Sequence, residues 1–123
     1  MTPFGDRMRK LRTERGVTLK EMAQALGVSS AYLSALEHGK RGRPGWHLIQ
    51  RILAYFNIIW DEADEVVRLA RISHPRITID TSGLTPKATE FANRLADDIG
   101  KLDPATLDEL LAVMGRKRSK TRE

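Results

Sequence analysis

The sequence predicts an all-α protein: a five-helix domain over residues 1–74, a short extended segment, and a C-terminal αα-hairpin. Three observations carry that prediction. Apolar residues recur at three- and four-residue intervals through most of the chain, which is the spacing of one helix face. Helix-opening residues (Thr18, Ser29, Thr85, Asp103) and helix-closing ones (Gly16, Gly27, Gly39, Asn57) punctuate those stripes. Strand-like alternation is confined to one run, Ile77-Thr78-Ile79-Asp80-Thr81.

The first helix begins over residues 3–14, with Pro3 acceptable in its opening turn. Phe4, Met8 and Leu11 fall at i, i+4 and i+7 and are expected to face inward. Arg12 sits beside that stripe. It is either a solvated cation or a partner that reaches Glu37.

Residues 18–39 hold two short amphipathic helices on either side of a Gly-Val-Ser turn. Thr18 can cap the first of them, and Glu21 can return a bond to the Thr18 amide, completing a capping box. Met22, Ala23 and Leu26 form its apolar stripe. Gly27 supplies the left-handed backbone that ends it sharply. Ser29 can cap the next helix, whose stripe is Tyr32, Leu33 and Leu36 and which Gly39 stops. Two helices joined by so few residues must cross steeply, which is helix-turn-helix geometry. The outward positions of the second helix, Ser30, Ala31, Ser34 and Ala35, are small and uncharged. An exposed helix that only folds carries Lys, Glu or Gln there, so the small face suits close approach to a large surface.

Lys40-Arg41-Gly42-Arg43-Pro44-Gly45 follows as a basic loop that cannot be helical. Its glycine spacing matches no nucleotide-phosphate motif. A solvated loop and a clamp on DNA phosphates both fit, and its place directly after the small-faced helix favours the clamp. Residues 46–56 read as a fourth helix with Trp46, Ile49, Ile52, Leu53 and Phe56 on one side, Trp46 and Phe56 being core anchors. Asn57 ends it. A fifth helix opens at Asp61 or Glu62 and carries Val66, Leu69 and Ala70 to about Ser73, where Pro75 prevents further helix.

Beyond Pro75 the texture changes. The run from Ile77 to Thr81 is a short strand or linker without a strand partner in the same chain, hence either a spacer or a pairing edge for a second copy. Thr85-Pro86 and Asp103-Pro104 each read as a cap followed by a first helical residue. Ala88, Phe91, Ala92, Leu95 and Ile99 form one stripe, and Leu107, Leu110, Leu111 and Met114 form the other. Two helices alone bury such stripes poorly. Residues 75–115 are therefore expected to be a dimerisation segment, built on Ile77, Ile79, Phe91, Leu95, Ile99, Leu107, Leu110 and Leu111, since two-fold dimers dominate soluble oligomers. Packing back onto the first domain is the alternative. Residues 116–123, dense in charge, are expected to be a disordered basic tail.

Charge is segregated by segment. Residues 1–60 carry ten Lys/Arg against four Asp/Glu, residues 61–115 six against eleven, and residues 116–123 five against one. A basic front half suits a polyanion partner. The absence of cysteine excludes disulfides, zinc–thiolate sites and thiol catalysis. His38, His47 and His74 lack paired metal-ligand spacing, so no metal or cofactor is expected. No nucleophile–base pair or convergent carboxylate pair stands out, and an enzyme is not expected. No apolar run approaches the roughly 18 residues of a membrane span, and the N-terminus has no signal-peptide pattern. A cytoplasmic protein is expected.

These residues resemble the Cro and lambda-repressor-like helix-turn-helix regulators, the xenobiotic-response-element type. The resemblance covers about residues 4–70. It rests on Leu11-Arg12-x-x-Arg15-Gly16-Val17-Thr18, Met22-Ala23, Leu26-Gly27-Val28-Ser29 and Tyr32-Leu33-Ser34-x-Leu36-Glu37-x-Gly39. It implies a five-helix bundle whose third helix, Ser29–His38, enters the major groove of double-stranded DNA. Ser29 would stand at its entry, Ser30, Ala31, Ser34 and Ala35 at base edges, and Tyr32 near phosphate. Thr18 and Lys20 would approach the backbone, and Lys40, Arg41 and Arg43 would grip flanking phosphates. The family also pairs an arginine at the position of Arg12 with the glutamate at Glu37.

Two departures matter. Many relatives carry glutamine where Leu19 stands, a contact that Lys20 would have to replace. The presented face also lacks the Gln, Asn and Arg of bidentate base readout, so specificity would lean on shape, thymine methyls and dimer spacing. The reading is a homodimeric, sequence-specific transcription regulator, a repressor more readily than an activator. The alternatives are a DNA-binding antitoxin whose residues 61–115 mask a protein partner, and a protein-interaction adaptor on the same fold.

Overall fold

The computed structural model describes residues 1–41 and 44–122, with side chains through Arg116. The chain forms two compact units, Met1–Ile77 and Thr78–Glu123. The first holds α1 (Pro3–Arg15), α2 (Leu19–Leu26), α3 (Ser30–Glu37), α4 (Trp46–Tyr55) and α5 (Trp60–Arg71). The second holds α6 (Pro86–Asp98), a 3-10 turn (Ile99–Lys101) and α7 (Pro104–Arg122).

Local chemistry sets the helix ends of the first unit. Thr2 accepts from the Gly5 amide at 3.0 Å and caps α1. Gly16, at φ 64°, closes it in the left-handed conformation, with the Val17 amide donating to the Arg12 carbonyl. Thr18 accepts from the Glu21 amide at 3.1 Å and donates its hydroxyl to the Glu21 carboxylate at 3.0 Å. The expected return bond to the Thr18 amide is thus replaced by one between the two side chains. Asn57, at φ 55°, ends α4 by directing the Ile58 amide to the Leu53 carbonyl, a conformation asparagine tolerates better than most residues.

The core joins Phe4, Met8 and Leu11 of α1 with Met22, Ala23 and Leu26 of α2, Leu33 and Leu36 of α3, and Ile49, Ile52, Phe56, Ile58, Val66 and Ala70. Burial of each large side chain is worth about 1.5–3 kcal/mol. Helix α1 packs on α3 and α5, and α2 on α3 and α4.

Trp46 departs from the core role the sequence suggests, and Trp60 lies outside the core as well. Trp46 is 60% exposed and Trp60 is 81% exposed. The inward side of α4 begins only at Ile49, and Trp46 lies on the rim of a shallow hollow with Pro44, Val67 and Arg71. Helix α5 opens at Trp60, not at Asp61 or Glu62, and Trp60 has φ 57°. That conformation turns the indole outward, and Phe56 and Ile58 take the core positions instead.

The run from Ile77, the last residue of the first unit, to Thr81 forms no strand; among the described residues it has no ladder partner to satisfy its backbone. It leads into a turn in which Asp80 accepts from the Ser82 amide and hydroxyl at 2.9 and 2.6 Å. Thr85 caps α6, accepting from the Ala88 amide at 3.2 Å. Asp103 caps α7, accepting from the Thr106 amide at 2.8 Å. No residue of α6 is fully buried. Helix α7 is drawn through Arg122, and Glu123 lies outside the described residues.

Candidate nucleic-acid interface

The turn between α2 and α3 is built from one helix end and one helix start. Gly27, at φ 73°, ends α2, and the Val28 amide donates to the Ala23 carbonyl at 3.0 Å. Ser29 then accepts from the Tyr32 amide at 3.0 Å and opens α3. Arg51 of α4 adds a bond that the sequence did not disclose. Its guanidinium donates to the Leu26 carbonyl at 3.1 Å, satisfying an acceptor left open at the end of α2.

Helix α3 has two distinct faces. Leu33, Leu36 and Glu37 are buried, whereas Ser29, Ser30 and Ala31 are exposed and Tyr32, Ser34 and Ala35 are half-buried. The exposed part of the small face is therefore its first turn. Thr18 and Lys20 are exposed at the start of α2. Leu19 between them packs against the core, so its departure from glutamine adds burial in place of a polar reach.

Lys40 and Arg41 are exposed just past the end of α3. The Arg41 guanidinium lies 6.0 Å from the centroid of the Tyr32 ring, a cation–π distance that holds the arginine beside α3. Arg43 lies outside the described residues. His38 is also exposed, at the end of α3. Its Nδ1 is 2.8 Å from the Ser34 carbonyl. A carbonyl only accepts, so Nδ1 carries the proton and Nε2 is left as an acceptor.

Beneath the face, Arg12 grips Glu37 through two bonds, Nε to Oε2 at 2.8 Å and Nη2 to Oε1 at 3.0 Å. A third bond runs from Nη1 to the Val17 carbonyl at 3.3 Å. The Glu37 side chain is 2% exposed and that of Arg12 17%. Hydrogen bonding to Glu37 raises the Arg12 pKa against the opposing effect of burial. This geometry ties α1 to the end of α3 and the Gly16-Val17 turn. It holds α3; it does not present a charge to a ligand.

The end of α3 is fixed from a second side. A Cβ at Gly5 would stand 2.2 Å from the Glu37 carbonyl oxygen, so the backbones of α1 and α3 touch there. Ser73, 4% exposed, accepts from the Phe4 amide at 2.8 Å and donates to the Leu69 carbonyl, joining the ends of α1 and α5. Gly5 and Ser73 carry no periodic or motif signal, so sequence reasoning missed both.

The residues assigned to dimerisation lie apart from this surface in sequence. Ile77, Ile79, Phe91, Ile99 and Leu111 are more than half exposed, while Leu95, Leu107 and Leu110 are half-buried. Among the described residues, no group of three or more His, Asp or Glu converges at metal-binding distance. No described helix is long and apolar enough to cross a membrane.

A model of the helix-turn-helix domain matches residues 3–66, just over half of the chain. The chain belongs to the helix-turn-helix family. It is 38% identical over 61 residues to the uncharacterized HTH-type transcriptional regulator RghRB of Bacillus subtilis, covering 50% of this chain and 44% of that protein. It is equally 38% identical over 61 residues to the HTH-type transcriptional repressor RghR of the same organism, covering 50% and 45%. These matches span about half the length of either relative. Among solved structures, a SinR protein/SinI protein complex aligns at TM-score 0.45 and 20% identity, over 94% of this chain and 98% of that one. The match to the family model stops at Val66, so residues 67–122 are described by their own geometry.

Proposed function

We propose that this helix-turn-helix protein is a sequence-specific, DNA-binding transcription regulator that represses by occluding promoters as a homodimer in the cytoplasm. The observation that carries this reading is the first turn of α3. Ser29, Ser30 and Ala31 stand exposed on a helix locked from behind by the Arg12–Glu37 pair and flanked by Lys20, Lys40 and Arg41. Small side chains let the helix backbone approach a groove floor, and flanking cations suit phosphates on either side.

In this reading α3 enters the major groove, with Ser30, Ala31, Ser34 and Ala35 toward base edges and Tyr32 near phosphate. Thr18, Lys20, Ser29, Lys40, Arg41 and Arg43 position the protein on the backbone. Direct readout is thin, because serine bonds almost any base and alanine offers only a methyl to thymine. The second unit supplies the rest through dimer spacing, with half-sites about 34 Å apart. The exposed apolar residues of α6 and α7 support a protein partner there, and a second copy is the simplest one.

Genome-wide footprinting, followed by titration of a footprinted duplex across a salt series, tests the proposal. Each neutralised phosphate adds about −0.9 to the log–log slope of affinity against salt. A steep negative slope, lost together with affinity in a K20A/K40A/R41A variant, is expected. A slope near zero for the unaltered protein sinks the DNA reading.

A further inference from the structure

The junction that fixes the end of α3 also creates a basic groove, which the recognition surface uses only through Lys40. The groove, about 520 Å³, is lined by Gly39, Lys40, His74, Pro75 and Arg76. A second hollow of about 340 Å³ shares Gly39, His74 and Pro75 with it. Among the described residues, no carboxylate lines either one. Lys40 comes from the end of α3 and His74 and Arg76 from the segment after α5, so the fold alone brings them together.

Both sides of the groove stand on fixed backbone. The Lys40 amide donates to the Ala35 carbonyl at 2.9 Å. On the other side Ser73 is anchored to Phe4 and Leu69, Pro75 restricts its own backbone, and the Arg76 amide donates to His74 Nδ1 at 3.4 Å. With Nδ1 accepting, the neutral His74 ring carries its proton on Nε2, which is then a donor. The groove thus offers two long cations and one ring N–H donor.

A plain explanation is that these cations neutralise the negative ends of α3 and α5, which both terminate here. That accounts for only part of the charge. Each helix end contributes about half a negative charge, and Lys40 and Arg76 together carry twice that sum. The surplus is positive.

We infer that His74 and Arg76, with Lys40, form a phosphate-binding groove that extends the DNA contact of this domain past its family-matched segment. This rests on the DNA-binding reading above. The ligand chemistry is a phosphate oxyanion, and the duplex backbone is its source because Lys40 is shared with the loop beside α3. Arg76 supplies a mobile charge that displaces a counterion, and His74 supplies a neutral hydrogen bond. The two therefore have separable signatures.

The test uses the full chain and a labelled duplex of mixed sequence, several helical turns long, titrated through a salt series at about pH 8, above the ordinary imidazole range. Arg76→Ala is expected to weaken binding and make the log–log slope shallower by about 0.9, the loss of one phosphate contact. Arg76→Lys is expected to restore the slope, since either cation displaces a counterion. His74→Ala is expected to weaken binding severalfold with the slope unchanged. Arg94→Ala removes the same formal charge from α6 and is the control.

An R76A slope equal to that of the unaltered protein, or an equal loss in R94A, overturns the inference. If the parent protein binds with a steep slope and K20A and R41A weaken it, that outcome removes the groove and leaves the DNA reading standing. If the parent slope is itself near zero, the DNA reading falls first. Titration of inorganic phosphate followed by the His74 ring NMR signals separates the sources. Saturation that displaces no duplex assigns the groove to a free phosphorylated ligand and overturns its role on DNA.

Discussion

The backbone of Gly5 lies against the carbonyl of Glu37 so closely that a Cβ would stand 2.2 Å from its oxygen and 2.7 Å from its carbon. The obstacle is backbone, so no rotamer change relieves it. Helix α1 must move off the end of α3, where Arg12 and Glu37 are also paired. Gly5→Ala should therefore destabilise the first unit, although alanine is the better helix former by about 1 kcal/mol. Overpacking of this kind costs about 1–3 kcal/mol and sometimes more. Urea unfolding should show a lower midpoint for G5A; an unchanged or higher midpoint contradicts the close approach.

The Arg12–Glu37 pair should be asymmetric to mutation. Removing Arg12 leaves a carboxylate that is 2% exposed without its cation, whereas removing the charge of Glu37 leaves an arginine that is 17% exposed and nearer to water. Breaking a buried pair from the side that strands the buried charge costs about 3–5 kcal/mol. Arg12→Ala should thus lie near the lower end of that range, because Arg12 itself is partly hydrated. Glu37→Gln keeps one acceptor for the guanidinium and should cost clearly less. Equal losses for R12A and E37Q in the same denaturant titration would refute this division.

The tryptophans are separated by the same logic from the residue that does hold the core. Phe56 is 1% exposed, and Phe56→Ala should cost about 3–5 kcal/mol. Trp46→Ala and Trp60→Ala remove side chains that are 60% and 81% exposed, so each should cost under about 1 kcal/mol. Trp60→Gly should be neutral or stabilising, since φ 57° favours glycine. The native fluorescence should be red-shifted and readily quenched by acrylamide. A blue-shifted, protected emission would place an indole inside.

These cases mark what was legible in the sequence. Thr18, Ser29, Gly16, Gly27, Asn57, Thr85 and Asp103 act within one or two turns of chain, so their roles follow from neighbours in sequence. Apolar spacing likewise marks Met8, Leu11, Met22 and Leu33 as core. Trp46 also falls on the apolar side of its helix, but periodicity does not say where the core beneath that side ends. Gly5, Arg51 and Ser73 act across 25 or more residues, through contacts only the folded backbone brings together. On the interface, the small first turn of α3 was legible as spacing. Its fixed support, and the approach of Arg76 to Lys40, were not.

Acid should loosen α7 at its start. The Thr106 hydroxyl, then its amide, hold the Asp103 carboxyl below its usual pKa. A group held low in the folded state contributes its full stabilisation above the unfolded value of about 3.9 and loses it as pH falls through the folded value. Helical circular dichroism should therefore fall in acid below about pH 4. Asp103→Asn keeps a capping oxygen that does not titrate, and should lose less of its remaining signal over the same pH interval. An identical acid profile for D103N would show that the cap is not the titrating group.

The second unit should decide affinity through assembly and not through contact with DNA. Phe91, Ile99, Leu111 and Met114 are all at least half exposed on α6, the 3-10 turn and α7, and clustered exposed apolar side chains mark interaction surfaces. Leu111 is 65% exposed, so Leu111→Asp removes little intramolecular packing and places a charge in the proposed dimer surface. The variant should keep its helix content and its denaturation midpoint, and sediment as a monomer. Linking two half-site contacts raises apparent affinity by about 10²–10⁴. L111D should therefore lose at least tenfold on a duplex with two half-sites and change little on a single half-site. If L111D remains dimeric with undiminished binding to the paired sites, α7 does not build the dimer.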